Sequence, residues 1–250
     1  MGSQGIVNSV PTWTRRTYEQ MIDQINNSRH VTLIRRMLAT VAVVYRPMTL
    51  KELPALADVP GRVSNNDNAL AEIVGLCGSF LTLRGRTIFF VHQSAKDFLF
   101  NQAHIKVFSS KVEDIDHTIF SRSLRVMQKT LRRDIYNIGV SGFSIDKVTP
   151  PNPDLLAAVR YSCIYWVSHL RDCHLNKDEN DDLQAGGSVE AFLRESYLYW
   201  LEALSLLKSI PEGVSSMLEL EKLLKVSFWP SNTGLTANVQ PGRDKNIAFH

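Results

Sequence analysis

The chain has 250 residues, 44% of them hydrophobic and 21% charged, an ordinary balance for a soluble protein and enough to bury one large core or two small ones. A net charge of +3 is too small to argue for nucleic acid without a localised patch. No uninterrupted apolar stretch reaches the ~18 residues of a membrane span, the N-terminus lacks the charged start and apolar run of a signal peptide, and Cys77, Cys163 and Cys173 form no Cys-x-x-Cys pair, so the expectation is a cytoplasmic chain with reduced, buried thiols.

Met1 to Pro11 is small and polar without periodicity, and a disordered start is expected there. Tyr18, Met21, Ile22 and Ile25 then recur at the spacing of one helix face, giving a first helix that Asn26 to Ser28 breaks. A second helix is predicted from His30 to Tyr45, with Ile34, Met37, Leu38, Val41, Ala42 and Tyr45 on one side. Its β-branched tail lowers helix propensity, so burial has to hold it. Pro47 stops it. Thr49, with Glu52 three residues on, predicts the cap of a short helix containing Leu50, Leu53, Pro54 and Leu56, and Pro60-Gly61 predicts a turn. Asn66 to Cys77 reads as a third helix closed by Gly78. Phe80 to Leu83 and Ile88 to Val91 flank Arg84-Gly85-Arg86 as a β-hairpin. Three helices followed by a two-stranded wing is the order of a winged helix.

At the end of the wing, His92 falls between a strand and a helix that Ser94 caps, Asp97 reaching back in a capping-box manner. The start of a helix offers unpaired N–H groups and partial positive charge, which suits an anion such as phosphate. A histidine there can donate a hydrogen bond to such an anion, with Ser94 and Gln93 as further candidate contacts, or it can be satisfied by a nearby carbonyl; the residue pattern alone leaves both readings open.

Beyond Asn101 a loop leads to a helix from Asp114 to Arg133, with Phe120, Leu124, Met127 and Leu131 on its apolar stripe. Arg122, Arg125, Lys129, Arg132 and Arg133 fall on the opposite face, either a solvated surface or a docking surface for an acidic partner. Pro150 to Pro153 reads as a stiff linker and Asp154 as the cap of a helix running to Arg171. Lys177 to Gly187 is acidic and is expected to be flexible. Ser188 to Ser209 is the strongest helical pattern of the chain. Pro211-Glu212-Gly213 turns it, Val214 to Leu224 forms a last helix, and periodicity is lost from Lys225 on, where an unstructured tail is expected.

The run Val91-His92-Gln93-Ser94-Ala95-Lys96-Asp97-Phe98-Leu99 resembles the end of the winged-helix domain in fungal NACHT-type STAND proteins, NLR-like switches that include the vegetative-incompatibility proteins. It is also similar to the Met-His-Asp motif of plant resistance proteins, with Gln93 in place of the motif's Asp. Arg46-Pro47-Met48-Thr49-Leu50-Lys51-Glu52-Leu53, Cys77-Gly78-Ser79-Phe80-Leu81, Tyr161 to Leu170, Tyr199 to Leu206 and Tyr18 to Ile22 resemble further segments of the family in the same order.

The resemblance implies a mainly α chain in four parts: an N-terminal tail and linking helix (1–29), a winged-helix domain (30–105), a helical domain (106–224) and a disordered tail (225–250). It implies that His92 touches an ADP held by a NACHT NTPase core, maintaining the off state, and that the partners are that core and a repeat domain. Neither a Gly-x-x-x-x-Gly-Lys-Ser/Thr loop nor a repeat of about 33 to 45 residues occurs in the sequence, so the expectation is a non-catalytic fragment that holds no cofactor by itself and meets ADP or ATP only together with the core.

Three other readings compete. As a nucleic-acid binder the chain would place its third helix in the major groove, but that helix carries Asp67 and Glu72 and no Lys or Arg, which leaves only Arg84 and Arg86 on the wing to meet phosphate. Cys77-Gly78-Ser79 is similar to a cysteine-protease segment, yet follows an apolar helix and lacks a second Cys-aromatic pair. His169, Cys173 and His174 supply three potential zinc ligands at a helix end, with no fourth in obvious reach.

Overall fold

The computed structural model describes residues 12–64, 66–77, 80–101, 108, 110–139, 142–174 and 181–228. The expectations for Met1 to Pro11, the Gly78 helix stop and the chain beyond Phe228 lie outside these residues. Among the described residues the chain is mainly helical with one small three-stranded sheet. It divides into two compact units, one of Met1–Leu50 and Ala57–Lys111, the other of Lys51–Leu56 and Val112–His250.

In the first unit, α1 (Thr12–Asn26) buries Tyr18, Ile22 and Ile25 at helical spacing. Helix α2 (Val31–Val43) is buried on most of its circumference, from Leu33 and Ile34 through Met37 to Val43. A helix that is apolar nearly all round belongs inside a core, and burial outweighs the weak propensity of its β-branched end. It stops short of Tyr45, with Val44 already extended, because the approach to Pro47 disfavours helical backbone. Met48–Thr49 then form a short strand, β1, where a helix cap was expected at Thr49. Its residues pair antiparallel with Ile88 and Thr87, and Leu50 N–H donates to Arg86 O at 2.9 Å. The following helix, α3 (Leu53–Ala57), most of which (through Leu56) belongs to the second unit, starts later and keeps Pro54 in its first turn, where the missing N–H costs nothing. The Pro60-Gly61 turn signal becomes a single helical turn, α4 (Gly61–Ser64).

Helix α5 (Asp67–Leu76) is capped by Asn66, whose side chain accepts the N–H groups of Asn68 at 3.0 Å and Ala69 at 3.1 Å. Strands β2 (Leu81–Arg84) and β3 (Thr87–Phe90) pair with Arg84 opposite Thr87. The connection is therefore the two residues Gly85-Arg86, and the φ of +60° at Gly85 is open only to a residue without Cβ at little strain. The sheet order is β1-β3-β2. Helix α6 (Gln93–Asn101) closes the unit through Ala95, Phe98 and Leu99, and Tyr18 packs between Phe80 and Phe98 with ring centroids 5.5 and 5.2 Å away.

The second unit is built on α7 (Val112–Thr130) and α8 (Arg160–His174), which run antiparallel: Asp116 near the start of one meets His169 near the end of the other, and Phe120 stacks on Trp166. The apolar stripe of Phe120, Leu124, Met127 and Leu131 points into the core. Helix α8 starts six residues later than its predicted cap, because Asp154 instead caps a preceding turn, accepting Leu156 N–H at 2.9 Å and the Tyr136 hydroxyl at 2.6 Å. Both flanks of the Pro150–Pro153 stretch belong to this one unit. The end of the acidic loop, expected to be flexible, is tied down from Asp181: Leu183 is buried, and Asp182 accepts from Ser188 Oγ at 2.6 Å and pairs with His117 at 2.9 Å. Helices α9 (Ser188–Leu206) and α10 (Ile210–Phe228) complete the unit. The last helix begins before Val214 and continues past the predicted start of the tail at Lys225. Trp166 and Trp200 meet edge to face at 6.1 Å in its centre, and Trp200 Nε1 donates to Cys163 O at 2.8 Å.

Candidate functional site

The strand-to-helix corner at His92 is fixed from both sides. Val91 N–H donates to Phe80 O at 2.9 Å, which extends the hairpin by one rung, and Ala95 N–H donates to His92 O at 3.0 Å, which opens α6. The expected cap at Ser94 is displaced: the helix starts at Gln93, and it is the His92 ring that caps it, Nδ1 lying 3.2 Å from Ser94 N and 2.8 Å from Ser94 Oγ. A backbone N–H can only donate, so Nδ1 is the unprotonated nitrogen and Nε2 carries the proton. Ser94 Oγ also lies 2.8 Å from the Tyr18 hydroxyl. With Tyr18 donating to Ser94 and Ser94 donating to Nδ1, Nδ1 is shared between the hydroxyl and the N–H of Ser94. The ring itself is exposed.

Gln93 is exposed and its Nε2 donates to Asp97 Oδ1 at 3.0 Å, one turn along the helix. Asp97 therefore does not reach back to the helix start as a capping box would require. Tyr18 belongs to this cluster although it is 76 residues from Ser94 and reads in sequence only as part of an apolar stripe. No local pattern announces a hydroxyl that meets a partner on another helix.

The hairpin arginines are engaged within the unit. Arg86 pairs with Asp67 on α5, and Arg84 lies over the Phe89 ring at 5.5 Å. Cys77 is fully buried, its thiol donates to Ile73 O at 3.5 Å, and burial pushes its pKa up to about 12, the opposite of what a nucleophile needs. His169 is fully buried with Nδ1 2.7 Å from Asp116 Oδ1 and Nε2 2.7 Å from the Tyr161 hydroxyl, while Cys173 donates to Leu170 O at 3.1 Å. Among the described residues no group of three His, Cys, Asp or Glu side chains is arranged to hold a metal ion. No helix among them is long and apolar enough to cross a membrane.

The chain belongs to the fungal NLR-like vegetative incompatibility proteins. Over 221 residues, 83% of its length, it is 48% identical to the vegetative incompatibility protein HET-E-1 of Podospora anserina. It spans 16% of the length of that relative. No protein-family model and no solved structure matches it.

Proposed function

We propose that this chain is a non-catalytic regulatory module, a winged helix followed by a helical region, that helps a NACHT core keep ADP in the off state of an NLR-like switch. The chain order α2, β1, α3, α5, β2, β3 with β1 lying alongside β3 supports the winged-helix reading, since the short first strand completes the sheet of the wing. The observation that carries the functional reading is the exposed His92 ring at the end of that wing, its tautomer set by Ser94 so that Nε2–H is a donor. Ser94 and Tyr18 position the ring, while Gln93 is held along the helix by Asp97. The nucleotide and the phosphate-binding loop come from the core, because the chain carries no such loop.

A contact made to ADP and lost on exchange for ATP biases a two-state equilibrium by the difference in binding energy between the states. The core and a repeat domain are the partners in this reading. The compartment is the cytoplasm, whose reducing conditions keep Cys77, Cys163 and Cys173 as the free, buried thiols they are in the fold.

The test mixes the chain with a NACHT core of the family and follows release of labelled ADP. The chain slows release, and His92→Ala speeds it by about tenfold, the worth of one hydrogen bond to a charged group. Equal retention by His92→Ala and the parent would sink the reading, as would a chain with no effect on release.

A further inference from the structure

The second unit ends α7 in a run of cations that the fold leaves without counter-ions. Arg125 and Lys129, one turn apart on α7, and Arg132 and Arg133, just past its end, are all exposed and have no ion-pair or hydrogen-bond partner among the described residues. Several other cations of the unit are paired: Arg171 with Glu219 at 2.6 Å, Lys208 with Asp146 at 2.9 Å, Lys225 with Glu221 at 2.6 Å, and Arg194 with Glu190. Like charges spaced along a helix face repel one another by a few tenths of a kcal/mol per pair, so the run gains from an acidic neighbour.

Arg133 also lines a groove of about 370 Å³ in which the apolar side chains of Ile138, Phe143, Val148 and Leu206 stand beside the polar ones of Asp134, Glu202 and Ser205. Phe143 is 48% exposed, a ring presented to solvent. The loop that shapes the groove is braced by carboxylates. Asp134 accepts the N–H groups of Ile138 at 2.6 Å and Gly139 at 3.0 Å, and Glu202 accepts those of Asp134 and Ile135, both at 3.1 Å. Charge-assisted hydrogen bonds from these amides to the two carboxylates brace residues 134 to 139.

We propose that the basic run and groove together dock an acidic polypeptide segment carrying an apolar side chain. Its carboxylates lie along Arg125, Lys129 and Arg132, and its apolar residue enters beside Phe143 and Ile138. The chemistry favours polypeptide over nucleic acid. The carboxylates of Asp134 and Glu202 in the groove repel a phosphate backbone, whereas an uncharged apolar residue set between the acids of a peptide can enter beside Phe143 and Ile138. This site uses the second unit alone and does not depend on the role of His92.

The experiment is fluorescence anisotropy on the full chain with three labelled probes: an acidic peptide containing one Phe, the same peptide with Ala for Phe, and a single-stranded oligonucleotide of equal charge. The Phe peptide binds saturably and more tightly than the Ala peptide, and its affinity falls with added salt. Lys129→Glu with Arg133→Glu weakens it by about tenfold and Phe143→Ser by about threefold, magnitudes typical of rim charges and a half-exposed anchor. Circular dichroism melts unchanged from the parent show that the variants, all at exposed positions, remain folded. The proposal is overturned if the Phe peptide does not bind, if the charge-reversed chain binds it equally well, if the Ala peptide binds equally well, or if the oligonucleotide binds more tightly than either peptide.

Discussion

His169 is held between Asp116 and Tyr161, and all three side chains are fully buried. Since the carboxylate can only accept, Nδ1–H is its donor. Removing the histidine strands the Asp116 carboxylate without solvent or that partner, which costs far more than the pair itself contributes. His169→Leu is therefore expected to lower stability by about 3–5 kcal/mol in urea unfolding. Combining it with Asp116→Leu recovers a large part of that loss, because the carboxylate that lost its histidine partner is removed as well. A double variant as unstable as the sum of the two single ones would contradict this account. In sequence, His169 reads only through its neighbours Cys173 and His174 on the same helix end. Its true partner is 53 residues away, on a facing helix whose register the local pattern does not specify.

Elements were legible in proportion to their length and period. Helices such as α9, with Phe192, Trp200 and Leu204 inward, follow from apolar spacing, and the hairpin follows from two apolar runs around a glycine. The two-residue strand β1 carries no period at all and exists because the edge of β3 offers it partners. The junction of α9 and α10 shows the same limit. Gly213 lies on Leu204 and Trp200, and a Cβ built there would come within 2.3 Å of Leu204 Cδ1. Sequence assigns this glycine to a turn, whereas it sits inside α10 and lets two helices approach closely. Gly213→Val is expected to cost about 1–3 kcal/mol by overpacking, while Ser215→Ala, at an exposed position two residues on, stays within about 0.5 kcal/mol. Thermal melts of the two variants decide it, and equal melting temperatures would remove the close-packing role.

At the scale of the whole chain, each unit contains a buried thiol whose ionisation is opposed by burial. The pKa of Cys77 in the first unit and of Cys163 in the second is raised from the ordinary 9.0 to about 12. A raised folded-state pKa contributes stability that is fully present below the unfolded value and is lost as pH climbs toward the folded one. Stability is thus expected to hold below pH 9 and to decline between pH 9 and about 12, with the urea midpoint as the measure. The decline is shallower in Cys163→Ala. A Cys163→Ala profile that parallels the parent through this window would assign the alkaline loss to other groups.

The amino-acid order by itself determined the mainly helical character, the hairpin, the family likeness and the position of His92 at a strand-to-helix corner, because each rests on contacts between residues close in sequence. Only the tertiary structure decided that the His92 ring caps its own helix with help from Tyr18, that His169 serves Asp116, and that the basic run at the end of α7 adjoins a groove. Those arrangements depend on side chains brought together from separate elements, and a one-dimensional period carries no record of which distant partner fills the last hydrogen bond or wall.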